Sequence, residues 1–409
     1  MLFLQHLAAA FCWLAGALTF VLPLGRWLPA KAPAAQLFNR YTVRYTADVR
    51  LKGELRYSIG PKEITETFFL EAAGEPAVFQ SFIDGFLDGK LASKLDSKLD
   101  SVTFTALDGG GGTYEVESAV LTRAKAPCKD ARLLLEDAFC QAGVSLRWGG
   151  AIDSFVWKAA PKGFGNLLNR ADEGRLVQQS YYGTSDPPYV QGSFMGNPWG
   201  YNPVQGGDQH GNRSKLVDYA IRDQQIYVKC RPADWSKDGE LTPAYMENTY
   251  TLADGVLAAD NRFVDFSGLA HPARHQELPA CYVVSALDTF SFYGGAQPWT
   301  DGALTQRNDL PFWGTGAECY MPLHSAETWC AWTAGAGPEA FGVGLYTPGA
   351  EILLAGKHGT KATADPNDGA TNYVAPLRTL QMTPAPFEYR YYLTAGTLAG
   401  MRALWTGMQ

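Results

Sequence analysis

Glutamines, tyrosines, two asparagines, two aspartates, a tryptophan and a histidine crowd into residues 174–211 of this 409-residue chain. The stretch opens GRLVQQSYYG and closes NPWGYNPVQGGDQHG. Arg175, Gln178, Gln179, Tyr181 and Tyr182 fall in or beside one expected strand, and Trp199, Tyr201, Asn202, Asp208 and His210 in a loop rich in Gly and Pro. Amides and carboxylates pair with hydroxyls, while flat aromatic faces stack on sugar rings. A saccharide site is the chemistry such a set suits. In a strand, Arg175, Val177, Gln179 and Tyr181 would share one face, and Leu176, Gln178, Ser180 and Tyr182 the other. Two consecutive glutamines therefore cannot both face a core cheaply, because a buried amide needs partners. One is expected to touch a ligand; the plainer alternative is that both hold neighbouring loops.

Three acids stand out as candidate catalysts. Asp208 lies in GGDQHG two residues before His210, an arrangement open to acid–base work or to a simple Asp-initiated turn. HPARHQELP carries His271, His275 and Glu277, with Pro272 and Pro279 opposing a long helix. MPLHSAETWCAW places Glu327 and Trp329 on one strand face, an acid beside an indole as at a sugar platform, the alternative being core tryptophans with Glu327 paired to an arginine. Glycoside hydrolysis needs two carboxylates roughly 5–10 Å apart. Asp208 with Glu277 or Glu327 would supply them. Elimination from a uronate would instead use a His or Tyr base, with Arg or Gln neutralising the carboxylate; His210, His275 or Tyr182 with Arg175 and Gln179 fit that scheme. A non-catalytic glycan-binding module would need the aromatics and amides alone. A small-sugar epimerase or mutarotase would use His275 with Glu277.

The elements around these residues read as β. Short alternating runs such as TVRYTADVRL, GELRYSIG and ITETFFLE are separated by Gly, Pro or Lys turns. FQSFIDGFLDGKLASKLDSKLDS interrupts them, with KLDS duplicated, and reads as a loop with a helical turn. From Val144 the pattern restarts as strand, Gly-Gly turn and strand, VSLRWGGAIDSFVWK, and strands recur to a closing helical turn, LAGMRALWTGM. Forty-three glycines, 24 prolines, 13% aromatics and only 18% charged residues agree with an all-β protein. The expected organisation is a leader or anchor with linker over 1–36, a small accessory β-sandwich over 37–140, and a large two-sheet β-sandwich over 141–409 that carries the saccharide site.

The run VSLRWGGAIDSFVWK…NLLNRADEGRLVQQSYYG…NPVQGGD…QELPACYV…AFGVGLYTP…YRYYLTAGTL resembles the large β-sandwich carbohydrate-active proteins of the galactose-mutarotase-like and polysaccharide-lyase-like kind. The resemblance is one of architecture over about residues 144–409 and implies a sugar-facing concave sheet. It brings no diagnostic motif and no family's catalytic residues.

A formal charge of −7 without a basic stripe argues against a nucleic-acid partner. The expected partner is a polysaccharide or oligosaccharide. GxSxG, GxxxxGK[ST] and HExxH are absent. GAGPEA at 335–340 lacks a βαβ context, and DPNDG at 365–369 lacks the register of a calcium loop. No cofactor and no catalytic metal is called for, with a structural calcium ion left open. Of seven cysteines none forms CxxC; Cys128 with Cys140, and Cys319 with Cys330, are spaced to bridge neighbouring strands, the alternative being buried free thiols. Residues 4–24 contain no charged side chain, and Arg26, Lys31 and Arg40 follow them. That run is read as a signal core or membrane anchor of an exported protein, the one expected membrane link.

Overall fold

The structure, a computed structural model, describes residues 20–23, 39–59, 62–83, 97–109, 111–122, 132–312 and 320–409. It is built almost wholly of antiparallel strands and divides into two compact units, 1–130 with 266–268, and 131–265 with 269–409. Among the described residues no helix is long and apolar enough to cross a membrane. The apolar run 4–24 lies outside them except for Phe20–Pro23, which pair as a strand with Ser97–Ala106. Cys128 and Cys319 also lie outside them, while Cys140, Cys230, Cys281 and Cys330 are buried free thiols.

The first unit is a small sandwich. A four-stranded sheet built on Leu51–Ile59 faces a three-stranded sheet centred on Arg40–Ala47. Tyr41 and Phe79 from the second sheet meet Phe68 from the first, with ring centroids 5.3 and 5.5 Å away, and Phe104 closes the cluster edge-on at 5.9 Å. The segment expected as a loop is strand at both ends: Ala73–Phe82 and Ser97–Ala106 pair into these sheets. Packing of Phe79 on Phe68 and of Phe104 on Tyr114 across the two sheets outweighs the irregular polar pattern between them.

The second unit is a large sandwich. Its seven-stranded sheet runs Ala233–Asp234, Pro203–Val204, Gln178–Ser180, Arg274–Val284, Thr371–Leu380, Ile352–His358, Met321–Leu323. A nine-stranded sheet lies against its inner face. Cys281, Val283 and Val374 from the first meet Trp332, Val343, Leu345 and Leu393 from the second. Strand alternation then sends Ala280 and Tyr282 to the outer face, as a period of two requires. A further hairpin, Cys140–Ser145 with Ala151–Trp157, turns at Gly149 and Gly150, whose φ values of +60° and +87° are costly for other residues. A Cβ on Gly149 would also lie 2.4 Å from the Gln205 carbonyl oxygen. The closing helical turn is a helix, Leu398–Thr406, capped at its start by the Thr397 hydroxyl and anchored by Leu398, Met401 and Trp405.

Candidate functional site

The outer face of the seven-stranded sheet carries a cleft of about 450 Å³. Strand Gln178–Ser180 supplies Gln178 and Ser180, and Tyr182 follows. Strand Arg274–Val284 supplies Glu277, Ala280 and Tyr282. A register shift against strand Thr371–Leu380 falls between Glu277 and Cys281. It inverts the alternation, so that Glu277 and Ala280, an odd and an even position, both face outward. Strand Ile352–His358 ends in the cleft at His358, and Tyr320 reaches it from just before Met321–Leu323.

Glu277 forms part of the floor. Its carboxyl accepts a short hydrogen bond from the fully buried Tyr373 hydroxyl. Burial pushes its pKa above the ordinary carboxylate value, opposed by hydrogen bonds from Tyr373, Ser180 and Tyr182. The Tyr373 ring lies 4.8 Å from Tyr282 and 4.3 Å from Tyr320. The Tyr320 hydroxyl is 2.6 Å from His358 Nε2. Burial, with help from the Arg175 guanidinium, pushes His358 down to about 4, so its ring is neutral at pH 7. A buried carboxyl group and a tyrosine–imidazole pair thus converge on one small area.

The wall is aromatic. Tyr182 and Phe194 meet Trp199 edge-to-face at 6.4 and 5.1 Å, and Phe194 meets Trp235 at 5.7 Å. Trp199 is fixed by its indole N–H donating to Asn202 Oδ1 over 3.0 Å, while the Asn202 amide donates to the Tyr181 carbonyl. Arg175 borders the cleft, paired with Asp172 at 3.1 Å and donating to the Gly369 carbonyl. Gln178 also borders it, but its amide is occupied: Nε2 donates to the Glu173 carbonyl and Oε1 accepts from Gly206 N–H. It positions the rim.

The other expected site residues lie elsewhere. Gln179 and Tyr181 face the interior. The Gln179 amide donates to Asn248 Oδ1 and the Glu247 carbonyl, and its oxygen accepts from the Tyr181 hydroxyl. Gln179 thus ties its strand to strand Ala244–Ala253 of the facing sheet, neither lining the cleft nor holding a loop. Tyr201 is core, bonded to Asp265 and stacked on His271. Asp208 is fully buried and its carboxylate is saturated by four donors, the N–H groups of His210, Asn212 and Gly239 and the Asn212 side chain. It builds a turn, and His210 is exposed on it. His275 is exposed and does not line the cleft that Glu277 enters. Glu327 and Trp329 are fully buried; Glu327 accepts from the Trp329 indole, the Trp299 N–H and Arg402. Asp208 and Glu327 thus share no surface with Glu277, which removes the expected acid pair. Among the described residues no group of three or more His, Cys, Asp or Glu is placed to hold a metal ion.

Sequence reasoning passed over Tyr282, Tyr320, Tyr373, Trp235 and His358. His358 had one usable signal, a histidine closing the strand-like run EILLAGKH. The Asp208 assignment predicts a concrete result. Asp208→Ala leaves three backbone N–H groups without their acceptor and is expected to cost about 1–3 kcal/mol of stability. Thermal melting would read the loss, and activity per folded molecule should stay at the wild-type level.

No protein-family model matches the chain, and no curated protein matches it. Solved structures similar to it include a galactose mutarotase related enzyme from Lactobacillus acidophilus, at 11% identity and TM-score 0.40, over 66% of this chain and 98% of that one. A galactose mutarotase-like protein from Lactobacillus casei ATCC 334 is 13% identical with TM-score 0.39, over 65% and 100%. A GH36 alpha-galactosidase from Geobacillus stearothermophilus is 12% identical with TM-score 0.39, over 68% of this chain and 41% of its own. All three are distant likenesses of fold.

Proposed function

We propose that the cleft binds a saccharide and converts it by acid–base chemistry, with Glu277 as proton donor and the Tyr320–His358 pair as proton acceptor. The observation that carries this reading is the meeting of a buried, hydroxyl-bound carboxyl group with a tyrosine–imidazole pair at the foot of an aromatic wall. A wall of Tyr182, Trp199, Phe194 and Trp235 offers ring faces and edges to a sugar, and Arg175 and Ser180 offer polar contacts. The apolar run 4–24 would direct export, with or without a membrane anchor.

The protonation states assign the roles. Burial raises the Glu277 carboxyl toward its acid form, and it lowers His358 to about 4, so that the imidazole is the free base at neutral pH. With Nε2 unprotonated, Tyr320 donates to it. The Tyr320 oxygen can then take a proton from a sugar's anomeric hydroxyl while passing its own to His358. Glu277 gives its proton to the ring oxygen, the C1–O5 bond breaks, and the open aldehyde forms. Closure on the other face returns both protons and yields the other anomer. A second reading is favoured by Arg175 beside His358. There, a uronate carboxylate would sit against the guanidinium, Tyr320 would take the C5 proton, and the glycosidic oxygen would leave protonated by Glu277.

Three signals separate the outcomes: the rate of optical-rotation change of fresh aldoses, new reducing ends from polysaccharides, and the absorbance of unsaturated uronates. Faster rotation change supports anomer conversion, and absorbance with reducing ends supports elimination. Silence in all three, with saccharides still bound, would reduce the cleft to a binding site.

The pH profile should be bell-shaped. Activity requires neutral His358, so it rises with pH through about 4. It also requires protonated Glu277, so it falls as pH climbs past that group's raised pKa. Arg175→Gln removes one of the two causes of the His358 depression, and the acidic limb should move to higher pH. An unmoved limb would exclude His358 as its origin. Trp199→Ala should weaken saccharide binding about tenfold, equivalent to ~1.4 kcal/mol, as read by calorimetry.

A further inference from the structure

Glu327 leads away from the cleft to a second cavity. Its carboxylate, 0% exposed, accepts the Trp299 N–H over 3.0 Å and binds Arg402 Nη2 at 3.0 Å. Arg402 Nη1 in turn donates to the Gly302 carbonyl. This network fixes the 297–304 loop to helix Leu398–Thr406. Between them opens a cavity of about 690 Å³, lined by Trp299, Leu304 and Leu398 with Asp301, Gln306 and Arg402. No residue lines both this cavity and the cleft.

We propose that this cavity is a second, non-catalytic saccharide site that takes a neutral sugar of a glycan chain. Three observations point there. The lining joins the Trp299 indole to the Asp301 carboxylate, a ring face beside an acceptor for hydroxyls, while the Gln306 amide is held by Ser291 and Gly337 and the Arg402 guanidinium by Glu327 and Gly302. The Asp301 side chain is 98% exposed and lies 3.6 Å from Arg402, so the opposite charges offset each other and an acidic sugar gains no net attraction.

The third observation is backbone strain. Six described non-glycine residues have positive φ: Met195, Asp223, Asp254, Trp299, Asp301 and Thr328. The first three sit in tight turns between paired strands, which call for that conformation. The other three surround Glu327. An aspartate tolerates this region, but a tryptophan at +62° and a β-branched threonine at +53° do not do so readily. Such conformations persist where surrounding structure over-determines them, and they collect at ligand sites. Here Trp299 N–H is held by Glu327 and Asp301 lies beside Arg402, and both Trp299 and Asp301 line the cavity.

Affinity electrophoresis of the full chain tests this without any need for turnover, in gels holding soluble starch, xylan, galactan or β-glucan, and in an alginate gel for contrast. The Tyr182→Ala/Trp199→Ala variant disables the cleft wall. It should still be retarded by at least one neutral gel. Adding Trp299→Ala or Asp301→Ala should weaken that residual retardation tenfold or more. Asp301 is solvent-exposed, so its variant reads the site even if Trp299→Ala disturbs the loop. Loss of all retardation in the cleft variant, its persistence in both added variants, retardation by alginate alone, or retardation by no gel would each overturn the proposal. Conversion in the cleft, measured separately, should be unchanged in Asp301→Ala.

Discussion

Replacing Glu277 with glutamine is expected to lower saccharide conversion by about 10²–10⁴-fold, the range for losing a positioned general acid. Glutamine keeps the volume and can still accept the Tyr373 hydroxyl hydrogen bond, so the floor of the cleft should stay folded. The proton that the mechanism places on a sugar oxygen is gone, because an amide does not donate one as an acid. Saccharide affinity should therefore change little while kcat falls. His358→Gln should lower kcat to a similar degree by removing the acceptor behind Tyr320. Full activity in Glu277→Gln would remove this residue from catalysis and leave the cleft a binding site. Unchanged melting temperature is the control that separates lost chemistry from lost fold.

The second large effect is expected far from the chemistry. Arg402→Ala removes the cation from a carboxylate that has no exposure to solvent. Breaking one side of such a buried pair costs about 3–5 kcal/mol, because the remaining charge is left uncompensated. The loss should appear as a marked fall in melting temperature. Glu327→Gln combined with Arg402→Met should recover a good part of it, since no charge is then stranded. The double variant would still lack the anchor for the 297–304 loop. A melting temperature unchanged in Arg402→Ala would mean that Glu327 draws its compensation from the Trp299 and Trp329 N–H groups alone.

The acids illustrate why composition and motif identified so little of the site. Asp208, Glu277 and Glu327 look equivalent in sequence, each beside a histidine or an aromatic ring. Asp208 is consumed by three donors of its own loop and the Gly239 N–H 31 positions later, and Glu327 by two indole-bearing residues and an arginine 75 positions later. Glu277 alone meets the cleft. The difference lies in which donors the fold brings to each carboxylate. The pairing of Glu277 with Tyr373, 96 positions away, has no local trace.

What the sequence determined by itself is the material of the fold. Period-two runs punctuated by glycine and proline impose strands and turns, and the paucity of helix-length segments makes the chain all-β. The hairpin around Gly149–Gly150 and the closing helix follow from local rules, because a left-handed turn and an amphipathic stretch are local properties. Of the amides and aromatics crowded over residues 174–211, Tyr182, Trp199 and Asn202 line one wall of the cleft. Only the tertiary structure decided which alternate residues face the cleft. A period of two fixes that neighbours point oppositely, but not which of them points inward. Packing of Tyr181 against Phe263, with centroids 4.2 Å apart, turned Gln179 to the core and Tyr182 outward. The register shift after Glu277 reversed the parity once more, and the pairing of Arg274–Val284 with Thr371–Leu380, then of that strand with Ile352–His358 and of the latter with Met321–Leu323, brought His358 and Tyr320 to the same floor.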